Sequence, residues 1–225
     1  MELMLDTANL AEIERGLATY PISGVTSNPT IIKAEGGVDF FVHMRKIREL
    51  IGESRSLHVQ VVSTDCTSIM AEAQKIVSLL GPSTFVKIPV TQEGLEAIRI
   101  LSKKGVNITA TAIYTTLQGI LAMQSGARYL AVYYNRMLNI DIDAAKVIKE
   151  LSSLLWANST SCQVLAASFK NINEITTAYA SGASCCTVPY SLLCTGLSMP
   201  SITKAVHDFT TNWEEVYGKR TLLDL

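Results

Sequence analysis

Two periodicities alternate along the chain from one end to the other. Short runs rich in Val, Ile and Leu predict strands over Glu2–Leu5, Gly24–Thr26, Leu57–Val62, Thr84–Ile88, Asn107–Ala112, Tyr129–Tyr133, Gln163–Ala167 and Ser184–Val188. Between them, amphipathic stretches with a helical repeat predict helices over Asn9–Tyr20, Phe40–Ile51, Thr64–Leu80, Gly94–Lys104, Thr115–Ser125, Asp141–Leu155 and Asn171–Ala180. Helix-end chemistry supports several of these: Thr91 ahead of Gly94, Asp141 ahead of Ala144 and Ala145, and Gly105 after Lys103 and Lys104. Eight strands alternating with helices, without a linker, predict an α/β fold with a parallel sheet. Right-handed crossovers close it into a single (β/α)8 TIM barrel spanning residues 1–225. A doubly wound open sheet is the alternative, and the absence of glycine from MELMLDTANL speaks against its nucleotide-binding form. In Pro200–Leu225, Trp213 and Tyr217 share one helical face, which predicts an extra C-terminal helix packed on the barrel or on a neighbouring subunit.

Composition narrows the class. With 48% hydrophobic and 17% charged residues in a chain of 225, there is material for a sizeable core, and disorder is excluded as the dominant state. A net charge of −1 without any run of like charges leaves no electrostatic footprint for nucleic acid or anionic lipid. Three charge-free stretches, Gly105–Ala127, Leu151–Phe169 and Ile175–Thr203, are interrupted by Asn, Gln, Gly and Pro, so none reads as a membrane span. The opening MELMLD reads as neither a secretory signal nor a transit peptide, and the expected compartment is the cytoplasm. Low surface charge points to a homo-oligomer. The five cysteines form no CxxC pair and fit a reducing compartment; Cys185 and Cys186 are expected on opposite faces of a strand.

Parallel barrels carry their sites at the carboxyl ends of the strands. In LHVQVV, Val59 and Val61 share one face and His58 and Gln60 the other; in TFVKIPV, Val86 and Ile88 oppose Phe85 and Lys87. The same repeat pairs Thr109 with Thr111, Ala131 with Tyr133 and Ala166 with Ser168. If the barrel closes, Asp6, Thr26, Asn28, Gln60, Lys87, Thr111, Tyr133, Arg136 and Ser168 crowd one rim. A lysine among apolar neighbours is either functional or paired. Burial lowers its pKa and frees the amine for attack on a carbonyl, forming an imine beside which a carbon–carbon bond can break; the alternative is a structural ion paired with Asp6. Arg136 suits bidentate phosphate binding, completed by backbone NH groups near Ser168 and Phe169, or else a surface ion pair. His43 and His207 are expected to be solvated on helices. No motif for a metal, a nucleotide or a serine nucleophile occurs, and the chemistry calls for neither metal nor cofactor.

The stretches LDTAN (Leu5–Asn9), GVTSNPT (Gly24–Thr30), VKIPVT (Val86–Thr91), YYNR (Tyr133–Arg136) and LAASFK (Leu165–Lys170) resemble, in the same order, the small transaldolase and fructose-6-phosphate aldolase family. The resemblance implies a metal-free Schiff-base enzyme on a TIM barrel, assembled as a pentamer or as a decamer of two pentameric rings, with the terminal helix reaching an adjacent subunit. It implies that Lys87 is the Schiff-base lysine and Asp6 the carboxylate beside it. Thr26 and Asn28 would bind hydroxyls, Gln60, Thr111 and Tyr133 would hold a catalytic water, and Arg136 and Ser168 would bind phosphate. Gln60 and the TATAIY and YYNR stretches match the aldolase branch, so the expected reaction is reversible cleavage of a ketose phosphate such as fructose 6-phosphate. Its products would be dihydroxyacetone and glyceraldehyde 3-phosphate. A transaldolase, passing the three-carbon unit to an acceptor, is the rival within the family, and a sugar-phosphate-binding barrel without turnover the rival outside it. Two positions depart from the aldolase pattern: His58 replaces a phenylalanine and Thr109 an aliphatic residue, both expected to face the pocket and alter specificity. Tyr134 replaces a smaller residue and is expected to repack the outer face.

Overall fold

The computed structural model describes residues 1–225, in which every predicted strand forms. In chain order the first elements are β1 (Glu2–Asp6), α1 (Leu10–Thr19), β2 (Ile22–Thr26), α2 (Pro29–Ala34), α3 (Phe40–Ile51), β3 (Ser56–Gln60), α4 (Cys66–Leu80), β4 (Phe85–Pro89) and α5 (Gln92–Lys103). They are followed by β5 (Asn107–Ile113), α6 (Thr116–Gln124), β6 (Tyr129–Tyr133), α7 (Tyr134–Leu138), α8 (Ala144–Ala157), β7 (Gln163–Ala167), α9 (Ile172–Ala180), β8 (Cys185–Val188), α10 (Tyr190–Leu197) and α11 (Pro200–Tyr217). Each strand pairs in parallel with the next, and β8 pairs with β1, so the sheet closes into the expected (β/α)8 TIM barrel with a C-terminal helix.

Local chemistry explains where the helices begin. The side chains of Asn9, Asn28, Asp39, Asp65, Thr91, Thr115, Asp143 and Asn171 each accept a backbone NH from the first turn of the following helix. The cap of α8 is Asp143, two residues later than expected. Three short helices, α2, α7 and α10, were not predicted, because one or two turns hold too few positions to show a period. The Asn28-Pro29 pair, a capping residue followed by proline at the first helical position, was the available sign of α2. At the far end of α5, Gly105 takes a left-handed φ of 80°, as its place after the two lysines predicts.

The larger core lies between the barrel and its helices. It takes Val25, Val59, Val61, Val86, Ile88 and their counterparts from the outward faces of the strands. A smaller cluster of Met4, Tyr129, Ala131, Leu165 and Cys185, with Phe85 against it, fills the barrel interior. Cys185 lies in the inner cluster and Cys186 in the outer one, on opposite faces as expected, and all five cysteines are free. The reading of β7 is corrected: Leu165 faces inward and Ala166 outward, because Ser168 has a left-handed φ of 65° and the alternation cannot be counted back through it. His43 is likewise buried rather than solvated, its Nε2 lying 2.7 Å from the Ala8 carbonyl oxygen. His43, Ile47 and Ile51, spaced four apart, form one inward face of α3. His207 is exposed.

No helix is long and apolar enough to cross a membrane. The terminal helix α11 has no buried residue and makes no extended packing against the rest of its chain. It exposes Ile202, Val206, Phe209 and Val216, while the Trp213 and Tyr217 rings lie 4.5 Å apart.

Close approach of β2 to β3 is essential to this geometry. A Cβ on Gly24 would sit 2.1 Å from Ser56 Oγ and 2.7 Å from the Ser56 carbonyl oxygen. Gly24→Ala is therefore expected to destabilise the fold by about 1–3 kcal/mol through overpacking, read as a lower urea midpoint with unchanged slope.

Candidate active site

The barrel interior is built in three levels. The lowest is the apolar cluster, capped by His58. Its ring stacks on Phe85 at 4.7 Å and meets Tyr129 edge-on at 5.2 Å. His58 Nδ1 lies 2.8 Å from Thr109 Oγ1 and Nε2 lies 2.9 Å from Ser56 Oγ, so both ring nitrogens are satisfied within the protein. Burial, reinforced by the positive charges of Lys87 and Arg48, holds His58 well below its usual pKa of 6.5, and the ring is neutral.

Lys87 occupies the next level. Strand β4 directs it inward opposite Gln60 on β3 and Thr109 on β5, and only 4% of it is exposed. Its Nζ donates to the Ser27 carbonyl oxygen at 2.8 Å. Ser27 is itself tied to β3, because its NH and its hydroxyl both donate to the His58 carbonyl. The ion pairs of the protein are two surface pairs on helices, Lys146–Glu150 and Lys204–Asp208, so Lys87 has no carboxylate within ion-pair distance. Burial pulls the Lys87 ammonium below its usual value of 10.5; Asp6 opposes the fall and Arg136 adds to it. Burial likewise pushes the Asp6 carboxyl above 3.8, against the attraction of Lys87. Thr26 Oγ1 donates to Asp6 Oδ1 at 2.6 Å and lies 2.7 Å from Thr187 Oγ1.

The third level is the rim. Thr111 Oγ1 donates to Tyr133 OH at 3.0 Å, and burial raises the Tyr133 phenol above 10.0, so it keeps its proton. The Arg136 guanidinium, on α7, lies 4.7 Å over the Tyr133 ring. Gln60 Oε1 is buried and receives no hydrogen bond from the protein. Such an acceptor calls for a donor, which a substrate hydroxyl or water supplies. Asn28 Oδ1 accepts the Thr30 and Ile31 NH groups, capping α2, which commits the oxygen and leaves the amide NH2 to donate. Beside this rim opens a cleft of about 490 Å³, whose lining includes Ser27, Asn28 and Gln60 together with Ile32, Phe40 and Phe41. Two left-handed non-glycine residues border the site, Ala112 at φ 60° and Ser168 at φ 65°, each costing about 1–3 kcal/mol unless neighbours hold it. Ala112 makes the bulge that shifts the β5–β6 register just beyond Thr111. The Ser168 carbonyl accepts the Asn135 NH at 3.2 Å, while the NH groups of Ser168 and Phe169 find no acceptor in the protein.

The structure brings the expected residues together around Lys87. Thr26, His58 and Thr109 were expected to meet substrate. All three are fully buried and engaged with other side chains, Thr26 holding Asp6 and the other two bonded to each other. Polarity marked these positions, but the level at which each residue sits depends on strand stagger, which alternation alone does not carry. Ser27 and Thr187 were missed. Thr187 was findable as the inward partner of Cys185 two residues earlier on β8, whereas Ser27 acts through its carbonyl, for which no side-chain signal exists.

A profile of the family described as transaldolase/fructose-6-phosphate aldolase matches residues 3–220. A Streptococcus pneumoniae (strain ATCC 700669 / Spain 23F-1) protein described as a probable fructose-6-phosphate aldolase is 47% identical over 222 residues, covering 99% of this chain and 100% of that protein. With a match of this extent over a barrel of this topology, the chain belongs to the transaldolase/fructose-6-phosphate aldolase family and is an enzyme of the aldolase/transaldolase class.

Proposed function

We propose that the protein is a class I aldolase that reversibly cleaves a ketose phosphate such as fructose 6-phosphate into dihydroxyacetone and glyceraldehyde 3-phosphate through an imine on Lys87. The observation that carries this reading is a buried amine with a depressed pKa, free of any carboxylate partner, beneath the polar rim. An unperturbed lysine, near 10.4, has roughly one amine in 2,500 deprotonated at pH 7, and a fall of one in that value multiplies the fraction about tenfold. Lys87 Nζ attacks the ketose C2 carbonyl, and loss of water gives the iminium. Deprotonation of the C4 hydroxyl then breaks C3–C4, the electron pair moves into the iminium to give an enamine, and the aldehyde phosphate leaves. Protonation of the enamine and hydrolysis release dihydroxyacetone. Tyr133, its proton kept by burial and its hydroxyl oriented by Thr111, exchanges protons directly or through a water held with Gln60. Asp6, fixed by Thr26, carries the counter-charge as the nitrogen becomes cationic. The Asn28 amide binds a donor hydroxyl, and Arg136 with the Ser168 and Phe169 NH groups binds the acceptor phosphate. The enzyme works without metal or cofactor in the cytoplasm, with sugar phosphates rather than nucleic acid or membrane as partners. The apolar stripe of α11, left uncovered by its own barrel, packs on a neighbouring subunit of a pentamer or decamer.

Borohydride reduction in the presence of fructose 6-phosphate or dihydroxyacetone is expected to leave a three-carbon adduct on Lys87, found by peptide mass. Lys87→Met is expected to abolish both adduct and turnover with the fold intact. Cleavage without an added acceptor aldehyde marks an aldolase; turnover only when one is supplied marks a transaldolase.

Removing the Arg136 charge lets the Lys87 pKa rise. In Arg136→Ala the rising limb of adduct formation against pH is therefore expected to move to higher pH. The same variant should raise KM about 10- to 100-fold for a phosphorylated acceptor, and less for an unphosphorylated one.

Phe209→Asp on the exposed stripe is expected to reduce the native mass to that of a smaller assembly or a monomer. An unchanged mass argues against this face as the contact.

A further inference from the structure

We infer that Glu174 is a positioning residue for the anion site, its buried carboxylate locking helix α7, which carries Arg136, and the β7–α9 loop, which carries Ser168, into one arrangement. The inference rests on the anion-binding reading proposed above and adds a residue that does not touch substrate. Glu174 stands in the first turn of α9, is 5% exposed and pairs with no Lys or Arg. A carboxylate in such a place is retained only if hydrogen bonds replace its hydration. Glu174 accepts three: from Asn135 Nδ2 at 2.8 Å, from Asn171 Nδ2 at 3.0 Å and from the Lys170 NH at 2.7 Å.

These donors are fixed. The Lys170 NH cannot turn away. Asn171 cannot flip without losing the cap its Oδ1 gives to the Glu174 NH at 3.0 Å, and Asn135 Oδ1 is held by Asn139 Nδ2 at 3.2 Å. Only a group that accepts at both oxygens fits, so a glutamine here would direct its NH2 at a donor.

The bonds join a helix to a loop. Asn135 immediately precedes Arg136 in α7, which follows β6 directly, whereas Lys170 and Asn171 follow Ser168 in the loop after β7. The same two segments are joined by the Asn135 NH to the Ser168 carbonyl at 3.2 Å and by the Tyr134 and Phe169 rings, 5.8 Å apart. Ser168 holds a left-handed conformation that a non-glycine residue keeps only when its surroundings enforce it. The buried carboxylate is the charged member of that set of restraints. It places the Arg136 helix against the chain reversal at Ser168, where NH groups lack protein acceptors.

The test is a KM and kcat comparison in the synthetic direction, dihydroxyacetone with glyceraldehyde 3-phosphate against dihydroxyacetone with glyceraldehyde. Glu174→Gln is expected to raise KM for the phosphorylated acceptor at least roughly fivefold while kcat and the KM for glyceraldehyde stay within about twofold. Equal losses with both acceptors would mean a merely structural role and overturn the proposal. So would a lower KM for the phosphorylated acceptor, which would mean that the carboxylate repels phosphate. If Glu174→Gln does not fold, Asn135→Ala breaks the bond to α7 while leaving the carboxylate two donors, and the same selective rise is expected; its absence overturns the proposal. Arg136→Ala measured alongside separates the two levels. Selective loss there without selective loss at Glu174 sinks the positioning role alone, and no selectivity in either variant sinks the anion reading with it.

Discussion

Holding an amine at the axis of a closed barrel sets the terms for everything around it. Its ammonium form is penalised by burial, yet the nitrogen must still be held in place and the charge that appears during reaction must be answered. The protein meets the first need with a carbonyl, that of Ser27, and the second with a carboxylate kept beyond ion-pair distance. A closer Asp6 would stabilise the ammonium and quench the nucleophile. Thr26, sandwiched between Asp6 and Thr187, maintains that separation, and it works only because β8, β1 and β2 lie side by side through closure of the sheet.

The three interior levels divide the labour by depth. The floor is apolar and neutral, and its one imidazole is spent on Thr109 and Ser56, so it lowers the dielectric around Lys87 without adding a competing charge. The rim is where hydrogen-bonding capacity remains open: the Gln60 oxygen, the Asn28 amide and the backbone NH groups after β7. Two of the four left-handed non-glycine residues stand at this upper end, in the Ala112 bulge and the Ser168 reversal, where side chains must be aimed rather than merely packed.

The architecture was largely legible in the sequence because a barrel writes two different chemistries on the two faces of a strand. LHVQVV and TFVKIPV give up their inward residues by simple alternation. QVLAASF does not, since beyond Gln163 both faces of β7 are apolar and the polar residue used as a reference lies past a left-handed turn. Depth was illegible throughout: Thr26 and Asn28 are two residues apart in a polar motif, yet one is fully buried beside Asp6 and the other stands on the rim. Contributions made by main-chain atoms, such as the Ser27 carbonyl, leave no trace in residue type. Glu174 did leave one, an Asn-x-x-Glu spacing at the start of α9, which signals a helix start but not the bond to α7.

The sealed His58–Thr109 layer bears on laboratory evolution of this barrel. Substitutions there change what Lys87 rests on rather than what a substrate meets, so a library randomised at 58 and 109 samples folding and nucleophile strength together and spends its diversity away from selectivity. Ile32, Phe40 and Phe41 line the cleft that shares Ser27, Asn28 and Gln60 with the site and take no part in that polar layer, so variation there leaves the hydrogen bonds around the central amine in place.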